Sequence, residues 1–183
     1  MNAHPAQPDL NGRLLLADPS LRDGTFHKSV ILVGDHSPTE GAFGLILNHP
    51  SGKTVGDVLP SPEFAPLAQL PVHLGGPVAR NKLTFAALWQ SGSKLEHAVR
   101  IPAEEAISAL KKPGTLVCAF AGYSGWTRDQ LEGELEQQSW TVSDPTTSLL
   151  NLSHDLTLWK TLMRAHSPYH RILADAPDEI LAN

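Results

Sequence analysis

Apolar runs of about four to eight residues, broken by Gly, Pro, Asn and Asp, recur along the chain in the pattern of a sheet-rich fold. Arg13 to Ala17 reads as a first strand, stopped at Asp18-Pro19 because proline cannot donate to a ladder. Ser29 to Val33 and Ala42 to Leu47 read as a hairpin joined through Asp35, Pro38 and Gly41. Asn48-His49-Pro50-Ser51-Gly52 turns the chain away. Thr54, with Asp57 three residues on, predicts at most a short helix to Leu59, and the proline-rich 60–71 reads as an ordered surface loop or its mobile tip. Val72 to Leu74 and Leu83 to Trp89 are strands flanking a Gly75-Gly76-Pro77 turn, and Glu96 to Ile101 is an edge strand. The period then changes to that of a helix from Pro102 to Lys112. Glu104 and Glu105 sit near its positive end, Lys111 and Lys112 near its negative end, and Pro113-Gly114 stops it.

The stretch from Thr115 to Val142 organises the rest. Thr115 to Ala121 is nearly continuous apolar sequence, which suits a strand buried on both faces. Gly122 and Gly125 predict a tight turn after it. Thr127 with Gln130 then reads as the capping box of a helix whose narrow apolar stripe is Leu131 and Leu135, with Arg128 and Glu132 one turn apart. Asp129, Glu132, Glu134 and Glu136 form its acidic side, read as a solvated face. Trp140 enters the next strand. Ser153 to Ala165 is a third helix with Leu156, Trp159 and Leu162 or Met163 on one face, ended by Ser167-Pro168.

Gly122-Tyr123-Ser124-Gly125-Trp126, followed by Gln130-Leu131-Glu132, Glu134 and Trp140, resembles the signature of the bacterial YqgE/AlgH family. Three further stretches agree in the same order: Gly12 to Pro19 with Phe26 to Val33, Gly41 to Pro50, and Gly75-Gly76-Pro77-Val78. Together they reach from about Gly12 to Trp159. The resemblance implies a barrel-like sheet, and it brings the transcriptional-regulator label that some members carry as a name without a mechanism. Pattern and resemblance together predict an α+β fold, a single domain over 12–183 after a flexible tail over 1–11. Its sheet is mainly antiparallel or mixed and is flanked by about three helices.

Composition narrows the function. The 183 residues and 41% hydrophobic content suit one domain with a real core. A net charge of -5 repels phosphate backbones and anionic membranes. No pair of adjacent helices joined by a short glycine turn presents a basic face, so no sequence-specific DNA binding is expected. Cys118 is the one cysteine, which excludes an intrachain disulfide and a cysteine-based zinc site; within its apolar strand it reads as a buried, inert thiol. Met1 to Asp9 lacks the basic and apolar regions of a signal peptide, and no apolar run is long enough to span a bilayer. A cytoplasmic protein away from membranes is the expectation.

Several chemistries are suggested and weakened by the same residues. Ser124 follows a strand as a nucleophile-elbow serine does, but Trp126 stands where that motif needs glycine. Gly122 and Gly125 can offer N–H groups to an anion at the helix start, without a Walker lysine or a dinucleotide fingerprint. His166 and His170 are four apart with Pro168 between them, and His36, His49 and His73 converge only through tertiary structure, so no metal and no cofactor are expected. The candidate site is Phe26, Asn48, Pro50, Gly75, Gly76, Pro77, Tyr123, Ser124, Trp126 and Gln130, most of them in turns where neither helix nor strand demands that residue type. Turn formation and core plugging are the competing role. The expectation is that these turns meet in one concave surface for a protein partner or a small anionic ligand, with Asn48→Ala lowering binding and sparing the fold. His49 departs from the basic residue that the family often has there. Two functions remain: a non-enzymatic binding or regulatory protein, and an enzyme acting on a small anionic metabolite at the Gly122–Thr127 turn.

Overall fold

The computed structural model describes residues 9–178. Nine strands form one curved mixed sheet: β1 (Leu14–Ala17), β2 (Val30–Ser37), β3 (Gly41–Ile46), β4 (Pro50–Thr54), β5 (Pro71–Leu74), β6 (Val78–Ser91), β7 (Lys94–Ile101), β8 (Thr115–Trp126) and β9 (Trp140–Ser143). The order β4-β5-β8-β3-β2-β1-β9 has β6 joined to β8 and β7 to β6. β8 holds the halves together. Its first part lies antiparallel to β6 and parallel to β5, while Ser124 to Trp126 pair with Gly44 to Ala42 of β3. Gly122, at φ 74, makes the bend between the two parts. The expected turn at 122–126 is therefore a continuing strand, because its backbone groups find partners on β3. The sheet curls into a half-barrel within a single α+β domain.

Both faces of the sheet are covered, which is why β1 reads as four apolar residues in a row. Leu14 and Leu16 point into a core with Leu45, Phe120, Trp159 and Met163; Leu15 and Ala17 point into another with Ile31, Ile46, Trp126 and Trp140. A third core lies under helix α2 (Ala103–Leu110) and includes Phe85, Ile101, Ala106 and Val117. Leu10 is 2% exposed, so the chain joins the core before Gly12. Burial pushes the Cys118 thiol up to about 12 and leaves it unreactive.

The remaining helices are α1 (Val55–Val58), α3 (Gln130–Glu136), α4 (Thr157–His166) and α5 (Pro168–Asp175), with short 3-10 segments at Pro62–Leu67 and Thr147–Leu150. The first 3-10 segment occupies the expected loop. Thr54 and Asp57 form the expected reciprocal cap of α1. Gln130 does reach back to the Thr127 N–H (3.0 Å), but the helix begins only after Asp129, whose left-handed φ of 62 breaks the path. α4 starts at Thr157, not Ser153, and leaves Leu156 exposed while Leu158, Trp159 and Met163 are buried. α5 adds a helix that the sequence pattern does not predict. Ser167-Pro168 ends one helix and starts the next, because Ser167 Oγ accepts the His170 N–H and proline fits the first helical position.

Candidate functional site

Three breaks in strand register border one cleft. Pairing of β2 with β3 skips Gly34, between Val33 and Asp35. Pairing of β6 with β7 passes from Phe85↔Ile101 to Ala86↔Val99 and leaves Arg100 as the extra residue, at φ 55. Pairing of β6 with β8 passes from Val78↔Tyr123 to Leu83↔Ala121, so that 79–82 arches away from Gly122, with Ala79 at φ 51. The cleft so opened has a volume of about 440 Å³ and is lined by Phe43, Ala79, Lys82, Leu83, Thr84, Arg100, Gly122 and Tyr123.

Its floor is aromatic and its rim cationic. The Phe43 and Tyr123 rings lie 5.1 Å apart between centroids. The Arg100 guanidinium stands 4.6 Å over Phe43 and pairs with Asp35. Gly34 is what lets β7 come this close, since a Cβ there lies 2.7 Å from Val99 Cγ2 and 3.2 Å from Phe43 Cδ1. Past Phe43 and Arg100 the cleft runs into a second hollow of about 430 Å³, bordered by Asn11, Asp35, His36 and Glu40.

Of the expected site residues, Tyr123 lines this cleft, and Gly75, Gly76 and Ser124 lie directly behind it. Gly75 donates to the Ala121 carbonyl (2.9 Å) and accepts from Ile46 N–H (3.0 Å) and Ser124 Oγ (3.2 Å). Pro77 is exposed beside them. Asn48 is fully buried elsewhere: its Oδ1 accepts from Val30 N–H (2.8 Å) and its Nδ2 donates to the Lys28 carbonyl (2.9 Å). Pro50 is exposed at the start of β4, opposite His73.

Phe26, Trp126 and Gln130 form a separate cluster around Glu134. One oxygen of Glu134 accepts both indole N–H groups, from Trp126 (2.9 Å) and Trp140 (2.7 Å), and the other accepts from Gln130 Nε2 (3.1 Å). Phe26 sets its edge against Trp140 at 5.7 Å. Two of the four acids read as a solvated face are thus turned inward, Glu134 and Glu132, the latter meeting buried His36 at 2.7 Å, while Asp129 and Glu136 are exposed as expected and Arg128 pairs with Asp129 instead of Glu132. Glu134→Gln replaces charge-assisted bonds with neutral ones and is expected to lower stability by about 1 kcal/mol, read as a shifted urea midpoint at unchanged slope. The helix start offers an anion no free donor at Thr127, whose N–H is held by Gln130 Oε1.

The histidines separate into groups. His166 and His170 come together (ring centroids 4.6 Å) despite Pro168, but His170 gives one nitrogen to Ser167 Oγ (2.7 Å) and the other to Thr141 Oγ1 (3.1 Å). Among the described residues no three His, Cys, Asp or Glu side chains are placed to hold one metal ion. Within the same residues no helix is long and apolar enough to cross a membrane.

A family model described as AlgH-like, DUF179, matches residues 14–169. The chain belongs to the AlgH-like family. It is 34% identical over 177 residues to a UPF0301 protein of Cytophaga hutchinsonii, covering 91% of this chain and 94% of that one. It is 33% identical over 183 residues to one of Streptomyces coelicolor, covering 93% of each. The solution structure of the AlgH protein from Pseudomonas aeruginosa superposes with a TM-score of 0.65 at 25% identity, covering 97% of this chain and 98% of that one. A crystal structure of a Corynebacterium diphtheriae protein shares the fold, with a TM-score of 0.72 at 23% identity and coverage of 94% and 95%. None of these names states an activity. For this AlgH-like chain the cleft residues that the sequence does not flag are Phe43, Ala79, Lys82, Leu83, Thr84 and Arg100. Phe43 alone lies inside a stretch carrying the family resemblance.

Proposed function

We propose that this AlgH-like protein is a non-enzymatic binding or regulatory protein whose ligand is a small anion with a flat or apolar body, held in the Phe43–Tyr123–Arg100 cleft. The carrying observation is the convergence of the three register breaks. Two of them place non-glycine residues, Ala79 and Arg100, in a backbone conformation that each holds at roughly 1–3 kcal/mol, strain that clusters at ligand sites. Lys82, which has no ion-pair partner among the described residues, supplies positive charge on a protein of net charge -5; Arg100, though paired with Asp35, keeps further N–H donors at the rim, and the two rings supply apolar area. The lining has no carboxylate, imidazole or thiol; Lys82 and Tyr123 are its groups able to move a proton, and no nucleophile there is hydrogen-bonded to a base, which supports binding over reaction.

Sequence-specific DNA recognition stays outside this reading. α4 and α5 are adjacent helices joined through Ser167, a pairing the sequence does not reveal, but Lys160 and Arg164 of α4 both pair with Asp175 (3.2 and 2.8 Å). Cations so engaged are poor partners for phosphate.

The test is a thermal-shift screen with aromatic carboxylates and aryl phosphate monoesters. A ligand at a hundred times its Kd adds about 2.7 kcal/mol, or roughly 5–10 °C for a domain of this size. Lys82→Glu and Arg100→Gln are each expected to remove the shift while leaving the unliganded Tm within about 2 °C. Shifts that survive both substitutions place the ligand elsewhere.

A further inference from the structure

Three imidazoles from separate parts of the chain gather behind β5, away from the cleft. His49 follows β3, His73 lies in β5, and His154 sits in the connection that leads into α4. His73 Nε2 bonds the His154 carbonyl (2.9 Å), and His154 Nε2 bonds the Leu149 carbonyl (2.9 Å). A carbonyl only accepts, so both Nε2 atoms carry their protons, and in the neutral ring Nδ1 is a bare lone pair. Nδ1 of His73 is buried and has no partner, and so is Nε2 of His49. His73 is 6% exposed and its ring lies 5.9 Å from that of Phe120 and 6.4 Å from that of His154. His73 Nδ1 can take a proton, as can the bare nitrogen of His49, and each ring keeps one buried nitrogen that makes no hydrogen bond in the closed fold.

We propose that His49, His73 and His154 form an acid-sensitive latch: proton uptake by His73 and His49 releases residues 151–156 from β5 and unseats α4 from the sheet. The bond from His73 to the His154 carbonyl is the direct tie between that connection and the sheet. α4 follows at once, and its Trp159 is buried against the first core with its indole N–H on the Ala17 carbonyl (2.8 Å).

The charges facing the cluster favour opening. His27, from the connection before β2, and His73 face His49, and each opposes a positive charge on it. His154 does the same to His73. Backbone groups of His27 beside His49, and of His154 and Ala119 beside His73, favour the charged rings, but burial outweighs them. The nearby carboxylate, Asp155, favours a charged His154, but it is occupied in capping Thr157 through that residue's N–H (2.8 Å) and Oγ1 (2.5 Å). Burial, the largest cause for each, holds His49, His73 and His154 below the usual imidazole value of 6.5. The sign follows from linkage. Above pH 6.5 the closed and open forms are both neutral and the latch holds; as pH falls below 6.5 the open form gains protons first, and closure weakens down through the depressed folded values.

The experiment is amide hydrogen exchange of 151–163, corrected for intrinsic rate, from about pH 7.5 to about 5.0, with the Trp159 indole N–H resonance followed in parallel. Exchange is expected to rise below about pH 6.5, approaching about tenfold per pH unit for each histidine that must stay neutral. His73→Gln keeps an amide donor for the His154 carbonyl and removes one titrating group, so it and His49→Gln are each expected to make the pH dependence shallower, and the double variant to flatten it. His73→Phe loses the donor and is expected to exchange fast at every pH. Exchange in the wild-type chain that does not change with pH overturns the latch, as does an unaltered pH profile in His73→Gln. If the variants fold poorly, the imidazole Cε1–H resonances of the wild-type chain decide: His49 and His73 titrating with no change in 151–163 also overturns it.

Discussion

Replacing Asn48 with alanine is expected to destabilise the fold by roughly 3 kcal/mol, because two buried backbone groups lose their partners at about 1–3 kcal/mol each. The Val30 N–H and the Lys28 carbonyl both end on the Asn48 amide, and Lys28 itself is held at φ 51. Solvent cannot take over these bonds without opening the fold, since Asn48 is fully buried. For a domain of this size the Tm is expected to fall by roughly 6–12 °C. The reading from sequence alone is the reverse, a binding residue whose loss spares the fold. A Tm within about 2 °C of wild type contradicts the structural role of this amide. Asn48→Asp is the sharper companion: it keeps the acceptor for Val30 but faces the Lys28 carbonyl with an anion, so it is expected to be no better than alanine.

Gly76→Ala is expected to be the more severe change and to yield little folded protein. A Cβ on Gly76 lies 2.1 Å from the Tyr123 carbonyl carbon, 2.2 Å from its oxygen and 2.4 Å from Ser124 N, all backbone atoms of β8. No side chain can swing aside. Relief requires lifting the β5–β6 turn from β8, which endangers the bonds of Gly75 to Ala121, Ile46 and Ser124. The combined loss is on the order of 5 kcal/mol, within the range that removes most of a domain's stability. Gly133→Ala serves as the control: it meets open space in α3, and its helix propensity is expected to raise stability by about 0.5–1 kcal/mol. Soluble yield and urea midpoints compare the two. Equal stability of both variants contradicts the backbone-on-backbone contact.

The strands are legible wherever local pattern fixes them. β1 is a run of apolar residues because both faces of the sheet are covered, and that run is visible without knowing its neighbours. The cap of α1 by Thr54 and Asp57 is likewise local, and the two residues announce it. What the sequence hides is pairing over distance. Gly122 looks the same in a reversal and in a bend; only the hydrogen bonds of Ser124 to Trp126 with β3 make it a bend. Glu134 looks like a surface acid until two indoles converge on it from different elements. The cleft is the least legible part. Ala79 and Arg100 take positive φ without being glycine, asparagine or aspartate, so nothing in their identity marks a bulge. The residues that line it come from β3, β6, β7 and β8, and only register brings them together. Of the expected site residues Tyr123 lines the cleft and Gly75 and Gly76 pack on the β8 backbone beside it, while Asn48 and Trp126 hold other parts of the fold.

If the three register breaks build a ligand cleft, a backbone amide NMR titration reads the ligand's position residue by residue. With an aryl phosphate or aromatic carboxylate taken from the thermal screen, saturable shifts are expected to concentrate at Phe43, 79–84, 99–101 and 122–123, the residues on and beside the lining. Shifts concentrated instead in the larger hollow of about 930 Å³ beside Trp89, Glu105 and Lys112 contradict the cleft as the binding site.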